Sequence, residues 1–180
     1  MLDSNDSDRI TRQLGQLIRI GVVSSIDPAK HTARVCFEED GNIESYDLQV
    51  LARNSFANKD YNMPDLNEDV LCVFLPQGPE NGFIIGAVYA GEVTTPTSNA
   101  DIRMVQFNDD TRATYNRASH ELDVVISGTH IHADRQTVDV TTPSSINLTT
   151  GGNISIKASG TIDVNAGGAL TINGATVSIN

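Results

Sequence analysis

The sequence has no tryptophan, only two cysteines and few aromatic residues, which make up 5% of its 180 residues. Two cysteines cannot form a disulfide framework or a zinc cluster. Because Cys36 and Cys72 both stand in apolar β-like runs, we expect buried free thiols. The chain has 12 basic and 23 acidic side chains, a formal charge of −11. Since phosphate binding requires clustered basic groups, we expect no nucleic-acid partner.

The sequence also lacks any apolar run near the roughly 18 residues of a membrane span. Its start, "MLDSNDSDRITRQ", is polar and acidic, unlike a signal peptide. We therefore expect a protein that is made in the cytoplasm and stays soluble. Residues 1–16 begin with a polar cluster, after which Ile10, Leu14 and Leu17 recur at helical spacing, which predicts a short N-terminal helix or arm.

Residues 17–90 contain five short β-like runs separated by turn-forming residues, a pattern that predicts a small OB-fold-like barrel. The runs are "LIRIGVVSSI", "TARVCF", "IESYDLQVL", "EDVLCVFLP" and "GFIIGAVYAG". Residues 91–100, "GEVTTPTSNA", are typical of a linker and leave no room for an inserted catalytic domain.

Residues 101–120 predict a hairpin or neck that turns at Asn108–Asp110. Asp109 and Asp110 are adjacent, and we interpret them as turn residues rather than as acid–base machinery.

From residue 121 the chain becomes periodic: ELDVVISG, THIHADRQ, TVDVTTPS, SINLTTGG, NISIKASG, TIDVNAGG, then ALTINGA and TVSIN. Positions two and four of the blocks share one face of a strand, and fourteen of these sixteen positions are aliphatic. The exceptions are His130 and His132. The aliphatic positions are Leu122, Val124, Val138, Val140, Ile146, Leu148, Ile154, Ile156, Ile162, Val164, Leu170, Ile172, Val177 and Ile179.

An octad has too little apolar surface to be buried alone and is short for one coil of a single-chain β-helix. Three chains wound together solve both problems, because each octad then forms one side of a triangular prism. The predicted fold is therefore all-β, with a trimeric, intertwined triple-stranded β-helix over residues 121–180. The aliphatic pairs would meet on the three-fold axis. At about 4.8 Å per layer, the shaft would be on the order of 35 Å long.

The barrel segments "IRIGVVSSIDPAKHTARVCF" and "EDVLCVFLPQGPENGFIIGAVY", the hairpin "FNDDTRATYN" and the octads follow one another in an order that resembles the baseplate assembly protein V family. This family forms the trimeric central spikes of contractile phage tails and of R-type bacteriocins. The resemblance covers nearly the whole chain. It implies a homotrimer whose barrels contact the tail tube and baseplate hub proteins. It also implies that the protein, made in the bacterial cytoplasm, enters the phage or bacteriocin particle and mechanically pierces the outer membrane of the target cell.

The octad numbering places His130 and His132 on the inward face, so three chains would bring six imidazoles to the axis. Buried polar rings without partners cost roughly 1–3 kcal/mol each. One octahedral ion with six nitrogen ligands would satisfy them, and this geometry disfavours zinc and leaves iron, nickel or cobalt. Alternatively, the rings surround waters or a small anion.

The resemblance implies one iron ion per trimer, held by His130 and His132 of each chain, with a structural role. In the family this His-x-His lies close to the tip, whereas 48 residues follow His132 here, so the ion would stiffen the upper shaft. His31 and His120 fall at turn positions, and we expect both to be solvated.

The last full repeat shortens from eight to seven residues, and the sequence ends one residue after Ile179. The end would either taper to the tip or expose strand edges that a small tip protein covers.

Two other functions have sequence features that can be weighed. A polysaccharide-degrading β-helix needs convergent carboxylates, whereas the outward positions hold mainly Thr, Ser and Asn with scattered Asp139 and Asp163. We therefore expect no enzyme. A glycan- or receptor-binding fibre has only Tyr115 as an aromatic platform near the shaft.

Overall fold

The computed structural model describes residues 15–76 and 81–178, and they are all-β, as the sequence predicts. The chain divides between Ser98 and Asn99 into two units, inside the segment expected to be a linker. The expected N-terminal helix falls almost entirely on residues 1–14, outside the described residues. Among the described residues, no helix is long and apolar enough to cross a membrane.

The first unit is a small barrel of short strands. The strands are β1 (Ile18–Asp27), β2 (Thr32–Phe37), β3 (Ile43–Glu44), β4 (Leu48–Val50), β5 (Asp69–Phe74) and β6 (Gly82–Ala87). All five predicted runs form strands, but the third is divided into β3 and β4. The reason is Ser45, whose backbone N–H donates to the carbonyl of Val35 and whose Oγ accepts a hydrogen bond from the Val35 N–H at 3.0 Å. A serine hydroxyl thus replaces a ladder carbonyl at the break.

The barrel closes because β1 pairs with β5 on one side and with β2 on the other. The five strands run in the order β1-β5-β6-β4-β2 and return to β1, with β3 added to the edge of β2. The β4–β6 pair is parallel, and the other pairs of the ring are antiparallel.

Alternate residues of the strands fill the barrel, so the core follows the two-residue period of β structure. The buried apolar residues are Val23, Ala33, Val35, Phe37, Leu48, Val70, Cys72, Phe74 and Ile84. Gly21 permits the close packing of β1 against β2: a Cβ there would lie 2.6 Å from both Val35 Cγ1 and the Cys36 carbonyl oxygen.

The second unit contains a five-stranded antiparallel meander in the order β11-β10-β9-β8-β7. Its strands are β7 (Ile102–Gln106), β8 (Arg112–Asn116), β9 (Glu121–Ile126), β10 (Thr129–Ala133) and β11 (Val138–Thr141). β7 and β8 form a hairpin with Asn108–Asp110 in its loop. There the Asp109 carboxylate accepts a hydrogen bond from the Thr111 N–H at 3.0 Å, which lowers the pKa of Asp109. This contact is turn chemistry.

Residues 142–178, all of which are described, form no strand within the single chain. Their aliphatic side chains at the octad positions are exposed, together with those of Val138 and Val140, by 49% to 73%. The expected triple-stranded β-helix begins at residue 121, but residues 121–141 pair within one chain as β9–β11. Over residues 142–180 the β-helix stays a prediction, and Ile179 lies outside the described residues.

The buried thiol in the barrel predicts a pH effect on stability. Burial raises the pKa of Cys72 from 9.0 to about 11. Because the unfolded chain releases this proton at lower pH, the stabilisation is complete below pH 9.0 and is lost as the pH rises toward 11. We expect the free energy of unfolding, measured in urea, to fall less between about pH 8 and pH 10 in Cys72→Ala than in the unsubstituted protein. Equal losses in both proteins would contradict this assignment.

Candidate metal centre

The pairing of β9, β10 and β11 decides which side chains share a face of the second sheet. Residues directly opposite one another in an antiparallel pair project to the same side. Asp123 stands opposite His132, and His132 stands opposite Asp139 on the next strand. His130 stands opposite Val125 on the same face. This surface, which we call the polar face, therefore carries both histidines and two carboxylates.

Asp123, His130 and His132 form a compact cluster on the polar face. His130 Nε2 donates to Asp123 Oδ1 at 2.9 Å, and His132 Nδ1 donates to the same oxygen at 2.8 Å. The ligand atoms of the three side chains all lie within 4.8 Å of one another. Two imidazole nitrogens and a carboxylate oxygen are donors that first-row transition metal ions accept. The cluster can therefore hold a metal ion within one chain.

The electrostatics of the cluster follow from these contacts. The hydrogen bond from His132 is the largest cause that lowers the pKa of Asp123, and partial burial opposes it. The same hydrogen bond raises the pKa of His132. The second ring nitrogen of His132 faces Asp134, with Nε2 4.0 Å from Oδ2. Asp134 is itself held in place, because it accepts hydrogen bonds from the backbone N–H groups of Gln136 and Thr137 at 2.7 and 2.6 Å.

The opposite side of the sheet, which we call the aliphatic face, is apolar. Leu122 stands opposite Ala133, and Val124 stands opposite Ile131. Val138 and Val140 pair with Ala133 and Ile131 from the other side. Leu122, Val124, Val138 and Val140 thus share a face, as their octad positions suggest. That they meet the later aliphatic positions on a three-fold axis stays a prediction.

The two histidines lie on the face opposite to these four residues, whereas the octad numbering places all six on one inward face. The cause is the turn between β9 and β10. Ser127 and Gly128 have φ angles of 39° and 88° and form a two-residue hairpin that pairs Ile126 with Thr129. Even-numbered residues of β9 therefore share a face with odd-numbered residues of β10. The residues present do not fit six histidines projecting among the aliphatic side chains.

Sequence reasoning missed Asp123 as a partner of the histidines. The signal that identifies it is the dipeptide Ser127–Gly128 between two β-like runs, which is typical of a two-residue hairpin. Counting outward from such a turn pairs position 123 with position 132.

An open cleft of about 500 Å³ adjoins the cluster on the polar face. It is lined by Met104, Arg112, Thr114, Asp123, Val125, Gly128, Thr129 and His130. Thr114 stands directly opposite Asp123, and its Oγ1 is buried with no protein partner in the described structure. The wall of the cleft beside Asp123 thus contains an enclosed hydroxyl that lacks a protein partner in the described structure.

The remaining histidines lie outside this cluster. Both occupy turn positions, with φ angles of 58° for His31 and 64° for His120. His120 is exposed, and its Nδ1 lies 3.4 Å from the Tyr115 hydroxyl. The expectation that His31 is solvated is wrong, because both of its ring nitrogens are buried. Its ring packs on Tyr61 with a centroid distance of 5.3 Å.

No protein-family model matches this chain, and a search of characterised proteins finds no similar sequence. Its fold and its aspartate–histidine cluster define an all-β protein with a candidate metal site.

The turn that sets the two faces gives a test by substitution. Gly128→Ala places a side chain at φ 88°, and we expect it to lower the free energy of unfolding by about 1–3 kcal/mol. Ser127→Asn should leave stability unchanged or raise it, since asparagine is favoured at positive φ in such turns. Urea unfolding followed by circular dichroism measures both effects. A Gly128→Ala protein as stable as the unsubstituted one would contradict the turn assignment.

Proposed function

We propose that this protein is the structural central spike of a contractile tail baseplate, in a phage tail or a bacteriocin particle. Three copies wind the octads that follow β11, residues 142–180, into a β-helix that pierces the outer membrane of the target cell, while the barrels dock on the tail tube and baseplate hub. The observation that carries the proposal is the exposed aliphatic repeat of residues 142–178, which has no partner strand among the described residues.

A single chain leaves this repeat unstable in water. Each buried aliphatic side chain contributes about 1.5–3 kcal/mol, which an isolated octad cannot gain. The unpaired N–H and C=O groups of an extended segment also need partners once they leave water. Two further copies provide both, because neighbouring octads then pair their backbones while the aliphatic side chains pack between them. The repeat therefore favours assembly of identical chains.

The charge distribution supports close packing of three copies. Although the chain carries a formal charge of −11, residues 142–180 contain only Lys157 and Asp163 as charged side chains. This segment is therefore neutral, and three copies meet without net repulsion. The acidic excess lies in residues 1–141.

The topology of the barrel supports the resemblance at the other end of the chain. Without the short β3, the strands run β1-β2-β4-β6-β5 around the ring, with β4 and β6 parallel. A closed five-stranded barrel of this kind is what we expect of an OB-like domain. In the proposed spike it serves as a docking module rather than as a binder of nucleic acid, because a chain with a formal charge of −11 is unsuited to binding a polyanion.

Two finer expectations remain predictions within this proposal. One is the axial iron ion that the resemblance implies; six histidines hold it only if His130 and His132 leave the face opposite the aliphatic residues, where the β9–β10 pairing places them. The other is a small tip protein covering the C-terminal end of the trimer.

The proposed trimer predicts that aspartate at position 154 disrupts assembly and that aspartate at position 155 does not. Ile154→Asp would place three carboxylates on the axis, where burying each unpaired charge costs several kcal/mol. Ser155→Asp, the matched control, places the same charge on the outer side of the same strand. We expect light scattering to give three times the 19.3 kDa chain mass for the unsubstituted protein and Ser155→Asp, and a lower mass for Ile154→Asp. A monomer in all three would contradict the spike.

Deleting the gene from its native genome tests the function itself. A central spike is needed for assembly, so we expect electron microscopy to find no complete contractile particles and a plasmid copy to restore them. A receptor-binding fibre would give a different result: particles would assemble but fail to adsorb to target cells. That second outcome, or unaffected particles, would overturn the proposed function.

A further inference from the structure

We propose that each chain binds one divalent first-row transition metal ion through Asp123, His130 and His132 on the polar face of the second sheet. The ligands all come from β9 and β10 of one chain, so the site needs no other copy. It differs from an axial ion shared by three chains in its ligand set, its position and its stoichiometry. It does not rest on the proposed spike function.

The β9–β10 hairpin brings three metal-ligand atoms together. His130 Nε2 and His132 Nδ1 point at one oxygen of Asp123 from 2.9 and 2.8 Å. An ion that binds here takes the place of the ring hydrogens that face the carboxylate: a neutral ring then carries its hydrogen on the other nitrogen, and a protonated ring releases one proton. Because Ser127–Gly128 fixes the pairing of the strands, the ligands are held on regular backbone, which gives a more constrained site than a loop.

A second carboxylate, that of Asp134, lies on the far side of the His132 ring. Histidines that bind metals commonly direct their second ring nitrogen at a carboxylate, which orients the ring and makes it a better ligand. Asp134 Oδ2 lies 4.0 Å from His132 Nε2, and Asp134 is anchored by two backbone hydrogen bonds. The His132 ring thus has the carboxylate of Asp123 beside Nδ1 and that of Asp134 facing Nε2.

One side of the site opens onto a cleft. Three protein ligands leave coordination positions for water. The cleft beside Asp123 and His130 is open, and the buried Oγ1 of Thr114 has no protein partner in the described structure. Thr114 stands directly opposite Asp123. Its hydroxyl is therefore an enclosed, unsatisfied polar group in the cleft wall opposite the carboxylate ligand.

The donor set determines the class of ion. Magnesium and calcium prefer oxygen ligands, whereas two imidazoles with one carboxylate suit zinc and iron(II) and their neighbours in the first transition row. The position of the aliphatic face excludes an ion bound among the aliphatic side chains. His130 and His132 lie on the opposite side of the sheet from Val124 and Val140, so an ion bound to the histidines lies on the polar face.

The test uses the full chain expressed without a histidine tag, stripped with a chelator and titrated with Zn²⁺ by calorimetry. We expect one zinc ion per chain, and Mg²⁺ should give no saturable binding. Asp123→Asn should weaken zinc binding by at least about tenfold. The matched controls are His120→Asn and Asp163→Asn, which remove an exposed histidine and an exposed carboxylate elsewhere and should bind like the unsubstituted protein.

The number of zinc ions bound per chain is measured on the unsubstituted protein, so this part of the test does not depend on whether any variant folds. As a second readout, Co²⁺ should give the strong visible absorption of a site with few ligands rather than the weak absorption of six-coordinate cobalt. One ion per three chains, an Asp123→Asn affinity equal to that of the unsubstituted protein, or no saturable binding of zinc would each overturn the proposal.

Discussion

The alternation of side chains across a β-strand is the constraint on which the second half of this protein depends. A strand has two faces, and a turn of two residues decides which residues of the returning strand share each face. In the β9–β10 hairpin, this rule separates His130 and His132 from Leu122 and Val124. One geometric rule therefore produces both a polar face with an aspartate–histidine cluster and an aliphatic face.

The same rule resolves the anomaly in the repeat. Positions two and four of the octads hold fourteen aliphatic residues and two histidines. In the folded hairpin, Ile131 and Ala133 occupy the positions that the numbering assigns to the histidines, and the loop before β11 restores the original order at Val138. The aliphatic row therefore continues through this block without interruption. In the proposed trimer, no polar ring needs to enter the axis.

The sequence predicts some levels of this structure much better than others. The barrel strands are predictable because alternating apolar residues and turn residues mark each of them locally, and only the break at Ser45 depends on a specific side-chain contact. Asp123 was missed because its role depends on counting across a turn, which a fixed eight-residue period ignores. The buried ring of His31 was missed because it depends on Tyr61, thirty positions later in the sequence.

Residues 142–178 pose a different kind of problem, because they have no partner strand in the part of the chain that the structure describes. The edge of β11 has backbone groups that could pair with another strand. The exposed side chains of Ile146 and Leu148 likewise require apolar surface to be buried against. A repeat with so little charge cannot remain solvated in the way that a disordered, highly charged segment does. Identical copies would share its period, so the unpaired repeat favours the proposed assembly. The side chains of the aspartate–histidine cluster, by contrast, all come from one chain, and the proposed assembly and the proposed metal binding can therefore be tested separately.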